Sequence, residues 1–100
     1  MIRGTTPTHK FLIPFGTDMV KDVRISYAQD GAIVAEKTVE DCVLEGNEIT
    51  TKLSQEETLK FHEKRHVELQ LKLLLHTGDT MATNIYTLSA GKVLNEEVLV

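Results

Sequence analysis

Residues 67–75 read Val-Glu-Leu-Gln-Leu-Lys-Leu-Leu-Leu, and this stretch constrains the fold more than any other. Apolar side chains stand at 67, 69, 71, 73 and 75, and polar ones at 68, 70 and 72. Side chains alternate across a β-strand, so the spacing gives an extended segment one apolar and one polar face. An amphipathic helix needs a repeat of about 3.6 residues, which is missing here. Leu74 breaks the alternation, because it falls on the polar side between Leu73 and Leu75. The strand is therefore expected to be central in its sheet. The short helix, the C-terminal segment or a second chain is expected to cover Leu74.

The remainder of the chain supplies partners for such a strand. Residues 1–7 are polar, contain Gly4 and Pro7, and read as an N-terminal arm or first turn. Phe11, Ile13 and Phe15 share a face of a first strand over 8–15. Pro14 has no N–H to donate, which places that strand at a sheet edge. Met19 and Val20 suggest a short helical turn. Val23, Ile25 and Tyr27 alternate in a second strand, and Asp30-Gly31 after it is a hairpin signal. The run over 33–39 alternates weakly, as an edge or bulged strand does. Residues 42–45 and 48–53 form a second hairpin around Glu45-Gly46-Asn47. Ser54 with Glu57 three residues later is a capping box, predicting a short helix or 3-10 turn over 55–61 with Leu59 tucked onto the sandwich. A strand over 81–88 and a last one over 92–100 complete the pattern.

About seven or eight short strands separated by turn signals predict an all-β fold. The expectation is one antiparallel immunoglobulin-like β-sandwich domain over residues 1–100. The chain has 100 residues, a length that suits one domain. A formal net charge of −4 gives no basic footprint for nucleic acid and no cationic face for anionic lipid. No apolar run is long enough for a membrane span, and no secretory leader is recognisable, so the expected site of synthesis is a bacterial or host cytoplasm. The single cysteine, Cys42, excludes an intramolecular disulfide. Its acidic neighbours Glu40, Asp41 and Glu45 oppose a reactive thiolate.

One motif has catalytic precedent. His62-Glu63-Lys64-Arg65-His66 matches H-E-x-x-H, which on a helix places two histidines on one face to hold zinc, with the glutamate activating water. Here a strand pattern begins at Val67, directly after the second histidine. Lys64 and Arg65 would also oppose a bound dication. The motif is read as a polar connection, so no catalytic residue, metal or cofactor is assigned. Glu56-Glu57 suits a helix N-terminus, and Glu96-Glu97 a solvated face. His9 and His76 flank strands as surface or hydrogen-bonded residues. Tyr27 or Tyr86, on an exposed face, would suit a sugar-binding module. Glu96-Glu97-Val98-Leu99-Val100 is apolar enough to pair as a strand, within its own sheet or with another chain.

The segments Arg3-Gly4-Thr5-Thr6-Pro7-Thr8, Leu44-Glu45-Gly46-Asn47, 53–61 and Asn84-Ile85 carry a likeness. With these, the chain resembles small phage and prophage β-sandwich proteins of Gram-positive bacteria. It is also similar to N-terminal domains of phage baseplate upper proteins. The resemblance implies a non-enzymatic, virion-associated assembly role, with self-association or other phage structural proteins as partners. It transfers no catalytic residue. The residues expected to make contacts are His9, Lys10, Leu12, Leu74, Val98, Leu99 and Val100. A carbohydrate- or receptor-binding module is the alternative, and a zinc hydrolase the distant one.

Overall fold

The computed structural model describes residues 1–63, 65–83, 85–89 and 91, with Ser89 through its backbone alone. Eight strands are present among the described residues: β1 (Thr8–Leu12), β2 (Val20–Gln29), β3 (Ala32–Thr38), β4 (Cys42–Glu45), β5 (Glu48–Lys52), β6 (His66–Leu75), β7 (Thr80–Ala82) and β8 (Tyr86–Ser89). One short helix, α1 (Gln55–Leu59), and two 3-10 turns, Thr17–Met19 and Val39–Asp41, join them.

The strands form two antiparallel sheets, β1-β5-β4 and β3-β2-β6, with β7 and β8 both pairing the far side of β6. The fold is an all-β sandwich, as expected. Its two sheets stack as the two layers of that sandwich. The sheets share one core. Phe11, Ile13, Ile49 and Leu53 meet Val23, Ile25, Tyr27, Leu69, Leu71 and Leu73. Each fully buried aliphatic side chain contributes about 1.5–3 kcal/mol relative to exposure.

Strand β6 is central, between β2 and the β7/β8 pair. Val67, Leu69, Leu71, Leu73 and Leu75 all face the core, as their spacing requires. In β2 the buried apolar residues are Val20, Val23, Ile25 and Tyr27. The step of three from Val20 to Val23 needs an extra residue. A register shift against β6 between Val20 and Asp22 supplies it, with Lys21 as the bulge. Strand β3 is both an edge strand and bulged, because Tyr27 pairs Ala35 while Ala28 pairs Ile33. Val34 is the extra residue, and it explains the weak alternation of this run. The turn between β2 and β3 has positive φ at both Asp30 (51°) and Gly31 (79°), the type I′ requirement of a two-residue hairpin.

The structure corrects one expectation and narrows two. The run over 81–88 is two strands. Three residue steps from Leu69 to Lys72 face four from Ala82 to Tyr86. The surplus falls between Thr83 and Tyr86; Thr83 itself still stands opposite Leu71, its N–H donating to the Leu71 carbonyl (2.9 Å) while its Oγ1 accepts the Leu71 N–H (3.1 Å). Second, residues 1–7 are tied to the body. Arg3 donates to the Leu59 carbonyl at 3.0 Å, Thr58 Oγ1 to the Thr5 carbonyl at 2.9 Å, and Leu53 N–H to the Pro7 carbonyl at 3.1 Å. Third, α1 closes the end of the sandwich and does not cover Leu74. Leu74 is half-buried in an outer depression with Asp22, Arg24, Lys72 and Thr80.

Helix α1 forms as its capping box predicts. Ser54 Oγ accepts the Glu57 N–H at 3.1 Å, and Glu57 Oε1 accepts the Ser54 N–H at 2.9 Å. Phe61, just past the helix, is the residue that plugs the core, where Leu59 is only half-buried. No helix among the described residues is long and apolar enough to cross a membrane. The expected last strand over 92–100 lies outside the described residues.

Candidate functional site

Along one open side of the sandwich, the edge strand β1 faces β8 across a cleft of about 460 Å³. Phe11, Leu69, Leu71 and Leu88 make its floor, and His9, Lys10, Leu12, Thr83 and Tyr86 its rim. A smaller hollow continues it past Pro14 and Phe15 towards Met81. Large apolar groups stand exposed along this side. Leu12 is 71% exposed, Tyr86 50% and Met81 44%. They are exposed for a geometric reason. Outward positions of β1 have no second layer over them, and the break after Thr83 resets which residues of the β7–β8 run face in.

The described edge of β1 is blunted at both ends by proline. Pro7 precedes the strand, Pro14 lies two residues beyond it, and Lys10 stands on its outer face. Such features discourage indiscriminate edge pairing. Lys10 Nζ lies 3.4 Å from Glu48 Oε2 on the neighbouring strand, with both side chains exposed. An exposed pair of this kind is weak and exchangeable.

His9 faces inward. Its Nδ1 lies 2.6 Å from the hydroxyl of Tyr27, which is wholly buried on β2 of the opposite sheet. The edge of Phe61 packs on Tyr27 at a centroid distance of 6.2 Å. Burial, aided by the positive N-terminus, holds the His9 pKa below its ordinary value, so the ring is neutral. A neutral ring that accepts the Tyr27 proton at Nδ1 carries its own proton on Nε2. Tyr27 is pushed far above its usual range by burial, then by the nearby Cys42 and Glu57. Its hydroxyl therefore acts as a hydrogen-bonding group and not as an anion.

Behind this pair lies a second polar group. Lys37 Nζ donates to Glu57 Oε1 at 2.7 Å, and both side chains are largely shielded from solvent. Burial raises the Glu57 carboxyl, but the Lys37 hydrogen bond and the Ser54 N–H outweigh it and leave it below its ordinary value. Cys42 is half-buried. Burial raises its thiol, with Asp41 adding to the effect against Thr51 and Lys37.

The described residues of the H-E-x-x-H segment, His62, Glu63, Arg65 and His66, are not helical. Helix α1 ends at Leu59, and His66 opens β6. Gln29, buried on β2, clamps the segment at its start. Its Nε2 donates to the His62 carbonyl (2.9 Å), and its Oε1 accepts the His62 N–H (2.8 Å). Arg65 pairs with Asp30 in the β2–β3 turn. His62 and His66 therefore do not share a helix face. Among the described residues no group of three or more His, Cys, Asp or Glu gathers to hold a metal.

Of the residues expected to make contacts, His9, Lys10 and Leu12 come together at the cleft, with His9 hydrogen-bonded inward to Tyr27. Leu74 lies apart on the outer face. Val98, Leu99 and Val100 lie outside the described residues. Sequence reasoning missed the partnership of Tyr27 with His9, the role of Thr83, and the Gln29 clamp. Tyr27 had a signal, since it is in phase with Val23 and Ile25. Thr83 and Gln29 had none, because their partners are set by sheet registry. Of the two tyrosines considered for sugar stacking, Tyr27 is inaccessible and Tyr86 is half-exposed at the rim. No protein-family model matches this chain, and comparisons with curated proteins and with solved structures find no match either.

Proposed function

We propose that this chain is a non-enzymatic assembly protein of a phage or prophage particle, associated with a virion, tail or baseplate. It works through protein–protein contacts, with copies of itself first among its partners. The observation that carries this reading is the open side of the sandwich, where exposed Leu12, Met81 and Tyr86 flank an apolar cleft beside an edge strand. Contiguous apolar surface next to unpaired strand edge is what assembly contacts use. The phage assignment rests on the sequence likeness described above.

The test is association. Light scattering across a concentration series should show the mass rising above the 11.2 kDa monomer. A constant monomer mass at the highest soluble concentration would overturn self-association. Tail, baseplate, holin or lysin genes beside the coding sequence support the phage assignment, and a neighbourhood of metabolic genes removes it.

A further inference from the structure

The cleft rim is one-sided in its chemistry. Its polar groups are the Lys10 ammonium, the His9 ring and the hydroxyls of Thr83 and Tyr86, and no carboxylate is among its described lining residues. Beside it, β1 pairs with β5 alone among the described strands, so one edge of β1 is open to a further strand. An occupant suited to this place is extended, apolar along one face, and acidic where it passes Lys10.

The chain contains a segment of that composition. Residues 92–100 read Lys-Val-Leu-Asn-Glu-Glu-Val-Leu-Val, with two carboxylates between two apolar stretches. Nine extended residues reach about 30 Å, against about 17 Å for the five residues of β1. Gly91, just before the segment, is fixed beside the N-terminus. It accepts the Arg3 N–H at 3.1 Å and forms a parallel bridge with Ile2. To enter its own cleft the chain would have to reverse directly after Gly91. Gly91 has no positive φ to turn on, and after it Lys92-Val93-Leu94 holds no turn residue before Asn95. A neighbouring molecule's cleft needs no such reversal.

We propose that residues 92–100 of one copy add as a strand to the β1 edge of a second copy. Glu96 and Glu97 then compete with Glu48 for Lys10, and Val98, Leu99 and Val100 cover Leu12 and the apolar floor. Reciprocal exchange between two copies closes a two-fold dimer, while one-way donation would build an open chain. This inference rests on the self-association reading above and names the surface and segment that carry it.

The test uses the full chain and three variants: deletion of 96–100, Lys10→Glu, and the double variant Glu96→Lys/Glu97→Lys. Far-UV circular dichroism and thermal melting verify that each is folded. The wild-type mass should approach twice 11.2 kDa with concentration. Each variant alone should need at least about tenfold more protein to associate. An equimolar mixture of Lys10→Glu with the double-lysine variant should recover wild-type association, because each cleft then meets a segment of opposite charge. Association unchanged by the deletion or by Lys10→Glu overturns this inference and leaves self-association standing. A monomer at every concentration overturns both. A monomer whose melting temperature drops on deleting 96–100 places the segment on its own chain and likewise ends the proposal.

Discussion

The Nδ1 atom of His9, on edge strand β1, lies 2.6 Å from the hydroxyl of Tyr27, on β2 of the facing sheet. This bond joins the two layers through a mostly apolar interior. It also fixes the His9 ring at the margin of the β1–β8 cleft. A buried hydroxyl needs such a partner, since leaving it unmade costs about 1–3 kcal/mol.

Tyr27→Phe removes the hydroxyl and keeps the ring against Phe61. The half-buried His9 nitrogen then loses its partner. The expected loss is about 1–3 kcal/mol of unfolding free energy, measured by chemical denaturation at pH 7.5. A change within a few tenths of a kcal/mol would mean that water replaces the bond at no cost.

The same pair sets a pH dependence. His9 has its folded pKa lowered from 6.5, chiefly by burial. As the pH falls below 6.5 the unfolded chain takes up this proton before the folded one does. The unfolded state then binds more protons, so stability falls with falling pH. Glu57 acts lower, because its depressed folded pKa removes stability only as the pH drops past its ordinary 4.5. Denaturation between about pH 5 and 7 therefore isolates the histidine. His9→Gln should flatten the slope in this window, and an unaltered slope would assign it to other groups.

The capping box at α1 makes two separable contributions. Ser54→Ala loses the Glu57 N–H acceptor and should cost about 1 kcal/mol. Glu57→Ala also strips Lys37 of its partner in a shielded position and should cost more, about 2 kcal/mol. Equal effects in denaturation experiments would show that the Lys37 contact adds nothing.

Leu73 and Leu74 are neighbours on opposite faces of β6. Leu73 lies in the core, and Leu74 only half-covered in an outer depression. Leu73→Ala should cost about 2–5 kcal/mol. Leu74→Ala should cost under about 1 kcal/mol for the isolated chain, as surface truncations do. A Leu74→Ala cost that grows with protein concentration would reveal cover supplied by another copy.

What the sequence determined by itself was the set of elements whose causes are local. Strand β6 follows from strict alternation, the β2–β3 turn from the ability of Asp30 and Gly31 to take positive φ, and α1 from the reach of Ser54 and Glu57 to each other's N–H. Strict alternation also puts five residues of β6 into the core without knowing what they meet. The tertiary structure decided everything that depends on which strand lies beside which. It split the 81–88 run after Thr83, since the surplus residue exists only relative to β6. It placed the bulges at Lys21 and Val34, which are defined by a partner's register. It turned His9 inward onto Tyr27, and it drew His62 out to Gln29 where a metal-binding helix would need it coiled. The open cleft beside β1 belongs to this second group, because a cleft exists only once two sheets have been set face to face.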